Sequence, residues 1–252
     1  MTHQPVHIEK TCLNCANKYQ GKYCNECGQA AEVERVTAKH LFHETVHILT
    51  HYEKGFLHTI WHFLVKPGTA SIKYINGKRK EYQKPVSYIL ILTGLYILVH
   101  NYIIGHYQYQ YQDWQNPLLT PIEQSNIFLR THFTPFVFII LLTAAFVIYL
   151  ILGKPTFNFV EILTLCLYGG GTYFLMLTIS DILLGMMFRT DIISMNVFLY
   201  QTILSSVYNF WFSYDIFKKA SVRFLWLKLV AVSILIAIIG YSIMSYLPLL
   251  LI

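Results

Sequence analysis

The chain has 252 residues, 55% of them hydrophobic and only 13% charged, with a formal net charge of +6. A soluble domain usually carries roughly a quarter charged residues, so this composition excludes an ordinary water-soluble globule and points to lipid. The charge is also polarised: twelve of the nineteen Lys and Arg residues precede Pro85, which gives a polar head and a lipid-soluble body.

Met1–Lys10 holds no apolar stretch of the kind a cleavable secretory signal needs, and the head is therefore expected to stay on the side where it is made. Residues 12–28 then read CLNCANKYQGKYCNECG, in which eight residues separate the pair Cys12 and Cys15 from the pair Cys24 and Cys27. A CxxC turn points two thiolates at one ion, and two such turns complete a tetrahedral shell. Four protein ligands leave no position open for water, so the spacing predicts a structural zinc ribbon over residues 1–32. A disulfide framework suits a reducing compartment less well. Cys166, the fifth cysteine, lies alone in an apolar run.

From His40 to Phe63 the chain reads HLFHETVHILTHYEKGFLHTIWHF. At 100° per residue His40, His43, His47, His51, His58 and His62 fall within about 100° of arc, with Leu and Phe residues mainly opposite. This pattern predicts an amphipathic interfacial helix, broken near Gly55, whose apolar face meets the membrane surface or the helical bundle. Within it His43, Glu44 and His47 spell HExxH, in which two imidazoles one turn apart hold zinc and the Glu activates water. No downstream third-ligand motif accompanies it, so a catalytic site there is the alternative reading.

Lys66, Pro67 and Gly68 are expected to end that helix. A basic linker follows, in which Lys78, Arg79, Lys80 and Lys84 meet anionic headgroups just before the first span. Directly ahead of a span, such a run is a topology signal, which sets nucleic-acid binding aside. Residues 33–85 thus form a cytoplasmic helix and linker.

Residues 86–252 contain five apolar runs: 86–106, 133–153, 160–179, 192–214 and 225–247. Each approaches the roughly 20 residues that cross a hydrocarbon core as a helix, and helices satisfy their backbone polar groups where lipid cannot. Glu161, Asp181 and Lys228 lie at the ends of these runs. With five spans, seventeen cations fall on one side and two, Arg130 and Arg189, on the other. The positive-inside rule then puts the N-terminus in the cytoplasm and the C-terminus outside. Gly169, Gly170 and Gly171 interrupt the third run, where they serve either a broken helix at a transport site or close helix packing. Asn196, Gln201, Ser205, Ser206 and Asn209 recur at near-helical spacing in the fourth, so that helix faces the bundle or a second copy of the chain.

Taken together, these residues resemble a bacterial family of uncharacterised multi-pass membrane proteins. Its members carry a double-CxxC head ending in CGQ, then PG, YI.GKR, Y and P. Here those places are held by Cys12, Cys15, Cys24, Cys27, Gly28 and Gln29, then Glu53, Lys54, Gly55 and Thr59 of a DKG-like helix. Pro67, Gly68, Tyr74, Ile75, Gly77, Lys78, Arg79, Tyr82 and Pro85 complete the set. The resemblance implies a bacterial inner-membrane protein of this architecture and implies no activity.

The expectation is an all-α polytopic membrane protein of about five transmembrane helices with an N-terminal zinc ribbon. Its function is expected to be a non-enzymatic scaffold or regulator in the bilayer whose ribbon docks a cytoplasmic protein. A metalloenzyme at His43, Glu44 and His47 is one alternative, and a channel or carrier is the other.

Overall fold

The computed structural model describes residues 9–33, 35–38, 55–107, 124, 128, 133–154, 156–188, 192 and 195–251. The head begins with two short antiparallel strands, β1 (Lys10–Thr11) and β2 (Lys18–Tyr19), paired Lys10 to Tyr19 and Thr11 to Lys18. Two short helices follow, α1 (Phe56–Val65) and α2 (Pro67–Ile75). Five long ones complete the chain: α3 (Pro85–Tyr107), α4 (Phe133–Ile148), α5 (Phe159–Asp181), α6 (Met195–Lys219) and α7 (Leu225–Leu251). A π-helical turn prolongs α4 through Tyr149–Gly153, and another prolongs α5 through Ile182–Met187.

The expected break at Lys66 is present but lasts one residue, and the first half of the stretch that follows it is helix. Lys66 leaves helical geometry (φ −140°, ψ 57°), and Pro67 opens α2. At the first position of a helix proline's missing N–H would have no partner anyway and its fixed φ is already suitable. The buried side of α2 includes Gly68, Ala70, Ser71 and Tyr74. Gly68 donates its N–H to Asp215 Oδ2 of α6 at 2.6 Å, and a Cβ there would collide with the Asp215 backbone.

The described part of the amphipathic helix, α1, packs into the bundle. Phe63 is fully buried and stacks on Tyr168 of α5, ring centroids 4.1 Å apart. Tyr208 of α6 donates to the Phe63 carbonyl at 3.0 Å, so side chain and backbone are both engaged.

Contacts along the long helices fix their directions. Tyr88, Tyr96 and His100 of α3 meet Thr172, Phe174 and Asp181 of α5 in the same order, so the two run parallel. Phe138, Leu141 and Gly153 of the α4 segment meet Phe174, Gly170 and Ile162 in reverse order. Gln201 and Phe212 of α6 likewise oppose Asp181 and Gly169. Successive helices therefore alternate in direction, and the ribbon lies at the end where α3 and α5 begin.

Among the described residues four helices are long and apolar enough to cross a membrane: Pro85–His106, Thr134–Gly153, Phe159–Met187 and Leu225–Ile243. The run expected at 192–214 is the exception. It folds as α6, 25 residues long and antiparallel to α5, but Asn196, Gln201, Thr202, Ser205, Ser206, Asn209 and Asp215 make it more polar than the other four. Those groups are partly spent inside the protein. Gln201 binds Asp181, Ser205 and Ser206 turn back onto the Thr202 carbonyl, and Asp215 holds Gly68.

The glycine run does not break its helix. A Cβ on Gly171 would lie 2.6 Å from the Tyr88 ring, and one on Gly170 would meet Leu141 and Ile89. The glycines let α3 and α4 approach α5 closely, which is how small residues serve helix packing in lipid.

Candidate metal centre

Both CxxC turns are built the same way. Cys12 accepts from the N–H of Ala16 and Cys24 from that of Gly28, each at 2.9 Å. Ala16 and Gly28 take left-handed backbone angles, φ 61° and 71°. The first Cys of each turn, Cys12 and Cys24, is buried, and Tyr19 packs against both. The backbone N–H groups of Cys27 and Glu26 point at the Cys24 thiol and lower its pKa to about 6, while burial raises that of Cys27.

The four Sγ atoms lie within 4.8 Å of one another, with Cys12 to Cys27 and Cys15 to Cys24 at 3.6 Å. An ion held by four thiolates at about 2.3 Å needs tetrahedron edges of about 3.8 Å. The sulfurs fit that geometry, and all four cysteines are free thiols. Cys12, Cys15, Cys24 and Cys27 thus form a cluster that suits one metal ion, and they were legible from spacing alone.

The cluster is fastened to the helical body next door. Gln29, two residues past the last ligand, is 4% exposed and donates from Nε2 to the Gly77 carbonyl at 2.8 Å. Its Oε1 accepts the Arg79 N–H at 3.3 Å. Gly77, at φ 102°, sits beneath Leu13 and Val33, and any Cβ there would press on both. The turn after α2 therefore needs glycine twice over, for its backbone angle and for the closeness of the head.

A second tie lies along residues 35–38. Arg35 pairs bidentately with Glu161 at 2.9 and 2.8 Å, and the Asn158 side chain donates to the Val36 carbonyl at 3.4 Å. Glu161 is 1% exposed and also caps α5, accepting from the N–H of Asn158 while Asn158 Oδ1 accepts from Glu161 N–H. This reciprocal capping box explains a carboxylate at the mouth of an apolar helix. The pair holds the Arg35 guanidinium pKa above its usual value. A cleft of about 360 Å³ opens beside it, lined by Arg35, Asn76, Thr156, Glu161 and Lys219 among others.

Of the four basic residues expected at the membrane surface, Lys80 is exposed, while Lys78, Arg79 and Lys84 are half-buried. The Arg79 guanidinium lies 5.9 Å over the Tyr74 ring. This stretch carries the docking site of the head as well as its charge. His43, Glu44 and His47 fall outside the described residues. His58 and His62 fall inside, their rings tilted against each other with centroids 4.0 Å apart, and His62 Nδ1 lies 3.2 Å from the Tyr82 hydroxyl.

The structure also joins two residues that spacing left apart. His100 of α3 and Asp181 of α5, 81 positions distant, meet at 2.7 Å inside the half of the bundle away from the ribbon. Their one signal in the sequence is that each is an ionisable residue close to an apolar run.

Residues 53–97 match the model of a family described as a protein of unknown function (DUF3667). The matched stretch includes α1, α2, the Gly77–Arg79 turn and the first half of α3. No curated protein and no solved structure matches the chain.

Proposed function

We propose that the chain is a non-enzymatic scaffold or regulator of a bacterial inner membrane, in which a zinc-loaded ribbon docks a cytoplasmic protein. The observation that carries this reading is the buried clamp of Gln29 on Gly77 and Arg79. A ribbon of this size owes much of its folding to its metal, so the clamp makes the surface shared by head and helices depend on zinc. Four thiolates saturate the ion and leave no place for a substrate, which favours a structural role over catalysis. The exposed Leu13 and Tyr23 supply apolar contact area on the head. A cytoplasmic head agrees with the twelve of nineteen Lys and Arg residues that precede the first span.

In-cell crosslinking from the head, read beside zinc content, tests this. Cys24→Ser should lose zinc and partner capture together, while Gln29→Ala should keep zinc and lose most of the capture. Full capture by a zinc-free Cys24→Ser head would overturn the reading. One zinc per chain with Glu44→Gln silent would also dispose of the HExxH alternative.

A further inference from the structure

We propose that His100, Asp181 and Gln201 form a proton-binding site within the helical bundle, with His100 Nε2 as the atom that takes up the proton. The site goes beyond a scaffold role and uses residues far from the ribbon.

Three helices build it. His100 comes from α3, Asp181 from the last turn of α5 and Gln201 from α6. His100 is 9% exposed and Asp181 1%, in a segment whose other side chains are mainly apolar and aromatic, with the hydroxyls of Thr178 and Ser180 among them. His100 Nδ1 lies 2.7 Å from Asp181 Oδ2, and Gln201 Nε2 donates to Asp181 Oδ1 at 2.8 Å and to Ser180 Oγ at 3.2 Å. Both carboxylate oxygens are therefore accounted for by donors. The Tyr96 ring packs on the imidazole, centroids 5.1 Å apart, and holds its orientation.

Two independent features point to a ligand. His100 Nε2 is buried and has no hydrogen-bond partner among the described residues. With Asp181 ionised, Nδ1 carries the hydrogen and Nε2 is left with a lone pair, the arrangement in which a carboxylate orients an imidazole for a proton or a metal. One histidine without a second ligand beside it suits the proton. The other feature is charge. Among the described residues no Lys or Arg pairs with Asp181, and its ionic partner is His100. The other titratable groups facing the pair are Tyr96 of α3 and Tyr173 of α5, and both are phenols. A carboxylate beside a neutral imidazole leaves one uncompensated negative charge in an apolar interior, which is costly. A proton on Nε2 turns the pair into a neutral imidazolium carboxylate.

The backbone makes the site deformable as well as buried. The π-helical turn at Ile182–Met187 begins at the residue after Asp181, and such turns are a recurrent feature of functional helices. Gly185 in that turn packs on Ile103, one turn beyond His100, where a Cβ would lie 2.6 Å from Ile103 Cγ2. A change in charge at the pair therefore bears directly on how α3 and α5 pack at this end.

Histidine-selective 15N spectroscopy of the full chain in lipid nanodiscs tests the proposal, with the His100 signal assigned by its loss in His100→Gln. On acidification over the pH range in which the chain stays folded, that signal should pass from a neutral Nδ1–H tautomer to imidazolium. Proton uptake by the unbuffered protein should fall by one per chain in His100→Gln. In Asp181→Asn the imidazolium should be lost over the same range, while the infrared carboxylate band assigned to Asp181 disappears. A His100 signal that keeps one protonation state throughout, or a titration identical in Asp181→Asn, would overturn it. If His100→Gln misfolds, His100→Asn supplies the same assignment, and if Asp181→Asn misfolds, a wild-type His100 signal that keeps one state still excludes the site.

Discussion

Gln29 and Gly77, 48 residues apart, meet in a buried 2.8 Å hydrogen bond that joins the cysteine head to the first turn of the helical body. Removing the side chain takes one partner each from the Gly77 carbonyl and the Arg79 N–H, which still hold each other at 3.0 Å. That costs about 0.5–1.5 kcal/mol for each hydrogen bond lost. Gln29→Ala should speed amide exchange at Arg79 and loosen the contacts of Leu13 and Val33, while the metal content stays unchanged because the four thiolates are untouched. Exchange at Arg79 as slow as in the wild type would show that the head is held by other means.

Glu161 and Arg35 form an unequal pair, with the carboxylate buried and the guanidinium side chain 65% exposed. Water screens the exposed partner, so Arg35→Ala should cost only about 1 kcal/mol or less. Glu161→Ala removes the capping box of α5 as well as the pair, and an N-terminal cap alone is worth about 1 kcal/mol. Thermal melts in detergent should rank Glu161→Ala below Arg35→Ala, and the gap should persist at high salt, which weakens only the exposed pair. Equal melting temperatures would refute the capping role.

These two ties show where the sequence was informative and where it was not. The four cysteines, the long apolar helices and their alternating directions follow from local spacing and composition, because a metal knuckle and a membrane helix are both decided within about twenty residues. The fourth long helix is more polar than the others, and its polar spacing already turned it toward the bundle; the particular partners, Asp181 for Gln201 and Gly68 for Asp215, are tertiary and no local pattern displays them. The same holds for Glu161 and Asp181. Each looked like a charge at the end of a span, and each proved to be half of a pair with a residue more than eighty positions away. The stretch after Pro67 was taken for a basic linker because its charges are conspicuous. Its helix is fixed by Gly68 packing on Asp215, a tertiary contact.

Glycines with the same local propensity should respond with opposite sign. Gly94 lies within α3 with no heavy atom within 4 Å of the Cβ position, while a Cβ on Gly171 would lie 2.6 Å from the Tyr88 ring and 3.3 Å from the Ile89 backbone. Gly94→Ala should stabilise by about 0.5–1 kcal/mol, the ordinary helix preference for alanine. Gly171→Ala should destabilise by about 1–3 kcal/mol through overpacking. A melting temperature that rises in both variants would mean that α3 and α5 are not in the close contact described.

The docking of α1 should weaken in acid. Burial is the main cause that lowers the His62 pKa below 6.5, followed by the neighbouring charge of His58 and those of Lys73 and Lys66, with Glu81 opposing. Tyr82, whose pKa burial raises to about 12, stays protonated at neutral pH and donates to the His62 Nδ1 lone pair. Above pH 6.5 the ring is neutral whether α1 is docked or released, and docking is independent of pH. As pH falls through 6.5 the released state binds the proton first. Stability is then lost progressively until the docked ring is protonated too, and it levels off below that point. Trp61, exposed on the same helix, reports the change by fluorescence in a variant whose other three tryptophans are replaced by Phe. The signal should be flat from pH 8 to 7 and shift below about 6.5, with His62→Gln reducing the shift. A shift of undiminished size in His62→Gln would assign the acid response to another group.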